Sequence, residues 1–118
     1  VIALLDARRS EVYGAAYRLD GAAQPERLFG PVVAGIDSAL IQAEASIGDT
    51  EPVLMIGSGA LAYGRQSAVS PDLHIPSAVQ TARLAAAQWL AADKDAGRAP
   101  PVDPVYVRPS DAELNAGR

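Results

Sequence analysis

The sequence predicts an α/β fold: a three-stranded antiparallel meander beside one parallel strand, with helices flanking the sheet. Three observations predict it. Apolar runs rich in Ile, Leu, Val and Tyr, broken by short polar turns, open the chain. Two stretches with helix-start signals follow. A short apolar run, Val53 to Ile56, lies between them with the length of a buried strand.

Val1 to Leu5 reads as the first strand and Asp6 to Ser10 as a polar break. Glu11 to Leu19 reads as the second, with Tyr13, Ala15 and Tyr17 on one face. So short a break implies a hairpin. Asp20-Gly21 marks the next turn, and Arg27 to Val33 forms a third strand made irregular by Gly30 and Pro31. Asp37 is the expected N-cap of a helix from Ser38 to Ile47, with Gly48 as its stop. After Val53 to Ile56, Gly57-Ser58-Gly59 turns the chain into a short helix over Ala60 to Gly64. Ser67 to Pro76 reads as a loop. Ser77 and Gln80 have capping-box spacing and start a helix that runs to Lys94 and stops at Gly97. In it Val79, Ala82, Ala86, Trp89 and Leu90 share one face, as core packing requires. Ala99 to Pro104 is a linker, Val105 to Val107 a short extended piece, and 110–118 a loose polar tail. The order is half of the pattern used by ribonuclease-H-like folds.

The chain has 118 residues and is 49% hydrophobic, enough for one core and too apolar for disorder. Alanine supplies much of that figure, so Ile2, Leu4, Leu5, Val53, Leu54, Ile56, Leu84, Trp89 and Leu90 are expected to carry the core. A net charge of −4 and a pI near 4.8 argue against a broad nucleic-acid-binding face. With no cysteine there is no disulfide, thiolate nucleophile or thiolate metal site. No apolar run approaches membrane-spanning length. The chain opens on Val1, directly into a strand, and reads as a fragment whose natural start lies upstream.

Two turns invite a ligand. Asp6, Arg8 and Arg9 occupy the first hairpin, where a phosphate-binding loop would need glycines; here none precedes Gly14. The structural alternative is a turn in which Asp6 accepts local amides. Gly57, Ser58 and Gly59 follow a strand and open a helix, a place where amides can meet an anion, but the dinucleotide-binding spacing is absent. The alternative is a tight turn that needs glycine. Together these six residues form a candidate degenerate nucleotide or phosphate site. His74, the one histidine, reads as a loop residue: neither a zinc set nor a nucleophile motif surrounds it. The acidic residues make no recognisable metal or acid–base pair, and no metal site is expected. Near the C-terminus, Tyr106 and Arg108 read as anchors that pin the tail across the sheet, or as partner-docking residues.

Three segments, in order, resemble the TsaB (YeaZ) family: Leu5-Asp-Ala-Arg-Arg-Ser-Glu-Val-Tyr13, Ile56-Gly-Ser-Gly-Ala-Leu-Ala-Tyr63 and Pro104-Val-Tyr-Val-Arg108. The resemblance covers nearly the whole chain. It implies the C-terminal lobe (1–109) of a two-lobed, actin-like protein whose first lobe precedes Val1. It further implies a cytoplasmic, non-catalytic subunit of the machinery that makes threonylcarbamoyladenosine on tRNA. The expected partners are the transferase TsaD and the ATPase TsaE, with a homodimer through the first lobe. On this reading tRNA is met only indirectly, ATP or ADP would bind only at a shared interface, and the glycoprotease label finds no support. Two other functions fit the residues alone. One is the nucleotide-binding half of an actin-like kinase or ATPase, through Asp6 and the Gly57–Gly59 turn. The other is an autonomous interaction domain, through the Pro-rich C-terminal segment.

Overall fold

The computed structural model describes residues 1–21, 24–48, 52–92, 103–110, 113 and 115–116. Four strands form one sheet in the order β3-β2-β1-β4: β1 (Ile2–Arg8), β2 (Glu11–Arg18), β3 (Glu26–Gly35) and β4 (Met55–Ile56). The first three pair antiparallel, and β4 runs parallel to β1 through Ile2↔Met55 and Ala3↔Ile56. The predicted mixed sheet, a meander plus one parallel strand flanked by helices, is therefore present. The strands overrun their apolar cores. Ladder pairing continues through Asp6↔Val12 and Arg8↔Glu11, because the backbone pairs regardless of whether a side chain is apolar.

Three helices and a 3-10 turn complete the described elements: α1 (Ile36–Ile47), α2 (Ser58–Ala62), the turn Pro71–His74 and α3 (Ala78–Ala91). Asp37 is not the N-cap of α1. The helix starts two residues earlier than expected, at Ile36, with Gly35 at the cap position and no side-chain cap bond. Asp37 lies in the first turn, where a carboxylate complements the helix dipole, and pairs with Arg65 at 3.1 Å. Gly48 ends α1 as expected, at φ +84°. Ser77 caps α3 by accepting the Gln80 amide. The predicted end of this helix at Lys94 and Gly97 lies outside the described residues, as do Ala99 to Val102 of the linker.

The core occupies one face of the sheet. Ile2 and Leu4 of β1 and Val12 and Ala16 of β2 meet Ala39, Leu40 and Ala43 of α1 and Ala60 of α2. Period-two alternation in the strands supplies the first set, and α1 presents one stripe to it. Half of these residues are alanine. A Cβ on Gly14 would sit 3.5 Å from that of Ala39, so α1 rides close to the sheet. Leu28, Phe29, Ile47, Val53 and Met55 ring this centre, partly buried.

The opposite face is less covered. Register places Ala3 opposite Ala15 and Leu5 opposite Tyr13 there, as the alternation of β2 predicts. Leu5 is exposed, and Tyr13 and Tyr17 are half-buried. Here the expected core fails. Leu5, Leu54, Leu84, Trp89 and Leu90 are all exposed, and α3 buries none of its residues. Val79, Trp89 and Leu90 are 61%, 51% and 66% exposed. α3 is tethered along its other side, where the Gln24 amide donates to the Leu84 carbonyl and the Gln88 amide donates to Gln24. A 3.6-residue period fixes which side of a helix is apolar, and nothing in it fixes what that side meets. The radius of gyration is 16.3 Å, against about 13.5 Å for a compact chain of this length.

These environments separate two leucines. Leu4→Ala is expected to cost about 2–5 kcal/mol in chemical denaturation. Leu90→Gln is expected to stay within about 0.5 kcal/mol. Equal costs would place α3 in the core after all.

Candidate functional site

The three segments singled out in the sequence converge. The Asp6 amide donates to Ser58 Oγ at 3.1 Å, joining the first hairpin to the Gly57 turn. Arg108, far along the chain, pairs with Glu11 and lies over the Tyr13 ring at 5.9 Å from its centre. The β1–β2 hairpin is thus the common partner of the other two.

The Gly57 turn is shaped by packing. Gly57 has φ +105° and ψ 170°, a region open in practice only to glycine. A Cβ there would collide with the Leu4 carbonyl oxygen. One on Gly59 would lie 2.9 Å from Val12 Cγ1 and 3.0 Å from the Leu4 and Leu5 carbonyl carbons. α2 is therefore pressed against β1, and both glycines have a structural cause. The Gly57 amide is also engaged, donating to His74 Nδ1 at 3.2 Å. His74, read from the sequence as a loop residue, ends the 3-10 turn and is 4% exposed. An accepting Nδ1 puts the ring proton on Nε2. The turn is braced further at Asp72, whose carboxyl is held below its ordinary value by the Ser70 hydroxyl and then by its own backbone amide.

The hairpin tip is unusual. Arg8, Arg9 and Ser10 all adopt left-handed backbone, with φ of 62°, 56° and 61°. Each non-glycine residue held there costs about 1–3 kcal/mol. The two-residue loop Arg9-Ser10 suits a tight hairpin that demands positive φ at both positions, and a bulge between Asp6 and Arg8 adds the third. Asp6 supports the bend as foreseen: its Oδ1 accepts the Arg8 amide at 2.9 Å, and its Oδ2 lies 3.5 Å from the Arg8 guanidinium. The usual Asn-Gly or Asp-Gly signal of such a hairpin is missing, so the sequence shows the turn but not its strain.

Of the two C-terminal anchors, only Arg108 anchors. Tyr106 is 86% exposed, because a segment held at one guanidinium can leave its neighbours in solvent. Beyond Arg108 the tail is not wholly loose: Ser110 and Glu113 cap each other's amides, at 2.6 and 3.2 Å. The Ser110 amide, and after it the Ser110 hydroxyl, hold the Glu113 carboxyl below its ordinary value. A groove of about 440 Å³ lies between this segment and the hairpin tip. Among the described residues no set of three or more side chains that could hold a metal ion is assembled, and no helix is long and apolar enough to cross a membrane.

Backbone conformation gives two expected outcomes of opposite sign. Gly57→Ala adds both strain and collision and should lower stability by about 3 kcal/mol or more. Arg9→Gly removes strain and should raise it by about 1 kcal/mol. Thermal and urea unfolding of the two variants reads both. Comparison with protein families, with curated proteins and with solved structures gave no match for this chain.

Proposed function

We propose that this chain is the C-terminal lobe of a TsaB-type subunit, built as a ribonuclease-H-like (actin-like) lobe, that acts by binding and not by catalysis. On this reading it works in the cytoplasm as part of the machinery that makes threonylcarbamoyladenosine on tRNA. There it supports the transferase TsaD, with TsaE as the associated ATPase. The observation that carries a binding role is α3. Its apolar stripe of Val79, Ala82, Ala86, Trp89 and Leu90 lies in solvent, with Arg83 the one charged residue between Ala78 and Ala91. An amphipathic helix gains stability by covering such a stripe, and contiguous apolar surface of this kind marks a place where another body sits.

The identity of the partner rests on the resemblance of the three segments, whose contacts through Asp6–Ser58 and Glu11–Arg108 are consistent with one shared unit. The packed glycine turn favours a scaffold over a nucleotide-binding half: the Gly57 amide is already bonded, and β1 lies against Gly59. Any ATP or ADP would then belong to a shared interface of the complex. tRNA would be held mainly by the partner, as the net charge of −4 suggests.

Sizing chromatography with light scattering tests the reading. The two-lobed protein mixed with TsaD is expected to co-elute, and a Trp89→Asp, Leu90→Asp variant should weaken that association while keeping the same circular dichroism. Separate elution across several salt and nucleotide conditions would sink the proposal.

A further inference from the structure

His74 is the one histidine of the chain and the one buried polar side chain among the described residues. It ends the 3-10 turn, and its Nδ1 accepts the Gly57 amide at 3.2 Å. Gly57 is also where α2 begins, since its carbonyl accepts the Leu61 amide at 3.1 Å. One ring nitrogen therefore grips the residue through which the chain passes from β4 into α2. A neutral imidazole can accept at one nitrogen, whereas a protonated one carries N–H at both and accepts nothing. A proton added at Nδ1 would set two donors against each other inside a packed turn, each without an acceptor.

The elements around the ring offer that proton little compensation. α2 and β4 carry no charged residue, and neither does the first turn of α3. β1 brings Ala3 and Leu5 to the groove that His74 lines. Its two charged residues, Asp6 and Arg8, lie at its C-terminal end and pair with each other at 3.5 Å. Asp72, on the same 3-10 turn as the ring, is the one carboxylate in that groove. It is exposed and already accepts the Ser70 hydroxyl at 2.8 Å. An exposed carboxylate so engaged offsets little of the cost of a buried cation.

We propose that His74 is an acid-sensitive latch: neutral, it fastens the Gly57 turn and α2 against β1, and protonated, it releases them. The open turn can take the proton and the closed turn takes it only by giving up the Gly57 bond, so acid favours the open form. Free imidazole side chains take up a proton near pH ~6.5, so the latch is closed well above that value and loosens as the pH falls through it. Opening is local. α2 carries Ala60 out of the core, while α1 keeps its own packing on β2 and β3. The inference rests neither on the tRNA-modification reading nor on the α3 stripe.

Two nuclear magnetic resonance measurements on the full chain test the proposal. Nitrogen-15 shifts of the imidazole at neutral to mildly basic pH should show Nδ1 bare and Nε2 protonated, and the opposite tautomer would overturn it. Amide exchange of Gly57 and Leu61, corrected for its intrinsic pH dependence, is then compared between about pH 8 and about pH 5, the span across which histidine changes charge. Protection of these two amides is expected to fall about threefold or more toward acid, with the α1 amides little changed. His74→Asn keeps an acceptor, the side-chain oxygen, near the place of Nδ1 and has nothing there to protonate. That variant should protect Gly57 and Leu61 equally at both pH values. An equal acid loss in the variant, an equal loss across α1, or no loss in the unaltered chain would each overturn the proposal. Should the variant not fold, the tautomer and the contrast between α1 and α2 in the unaltered chain decide it.

Discussion

The fold depends on how closely the Gly57–Gly59 turn approaches β1. β1 is the strand that joins the antiparallel meander to the parallel strand, with β2 antiparallel on one side and β4 parallel on the other. The chain leaves β4 through a turn whose glycines touch the backbone of Leu4 and Leu5. Any side chain there would lift α2 off the sheet and remove Ala60 from a core that is half alanine. That core has little depth to lose. Ile2, Leu4 and Val12 are its largest fully buried side chains, and the rest of its centre is mostly alanine. Close backbone approach replaces large side chains as the source of cohesion, through dispersion across short distances.

The same approach fixes the chemistry available at the turn. An amide aimed at His74 and a hydroxyl aimed at the Asp6 amide have already been assigned partners. The polar groups that make the turn resemble an anion cradle in sequence are what staple it to its surroundings. Among the described residues, Arg8, Arg9 and Arg108 gather around the hairpin tip, while Val79, Leu84, Trp89 and Leu90 are exposed along α3.

Much of the architecture was legible in the sequence because it is written locally. Alternation in β2, glycine at position 48 and the Ser77–Gln80 spacing each act over a few residues, and each reappears in the structure. What was not legible depends on distant surroundings. Trp89 and Leu90 look like core by type and period, yet burial requires a facing surface that no local pattern announces. His74 shows the reverse: a polar residue in a proline-flanked stretch is buried because Gly57 sits above it, 17 residues away in the chain. The strain at Arg8 to Ser10 escaped for a third reason. Hairpin geometry imposed positive φ on residues that do not advertise it.

The Arg108 contact sets an order of events. Glu11 and Arg108 are separated by 97 positions, so their pairing in an unfolded chain would close a loop spanning most of the protein. The entropy of closing such a loop grows as the logarithm of its length and comes to about 4 kcal/mol here, before any constant. A partly exposed ion pair returns about 1 kcal/mol or less, and a guanidinium over a ring about as much again. The contact cannot therefore gather the chain. It closes only once the hairpin and sheet have shortened the path between its ends, which makes the C-terminal segment a late arrival and its seating a report on the sheet beneath.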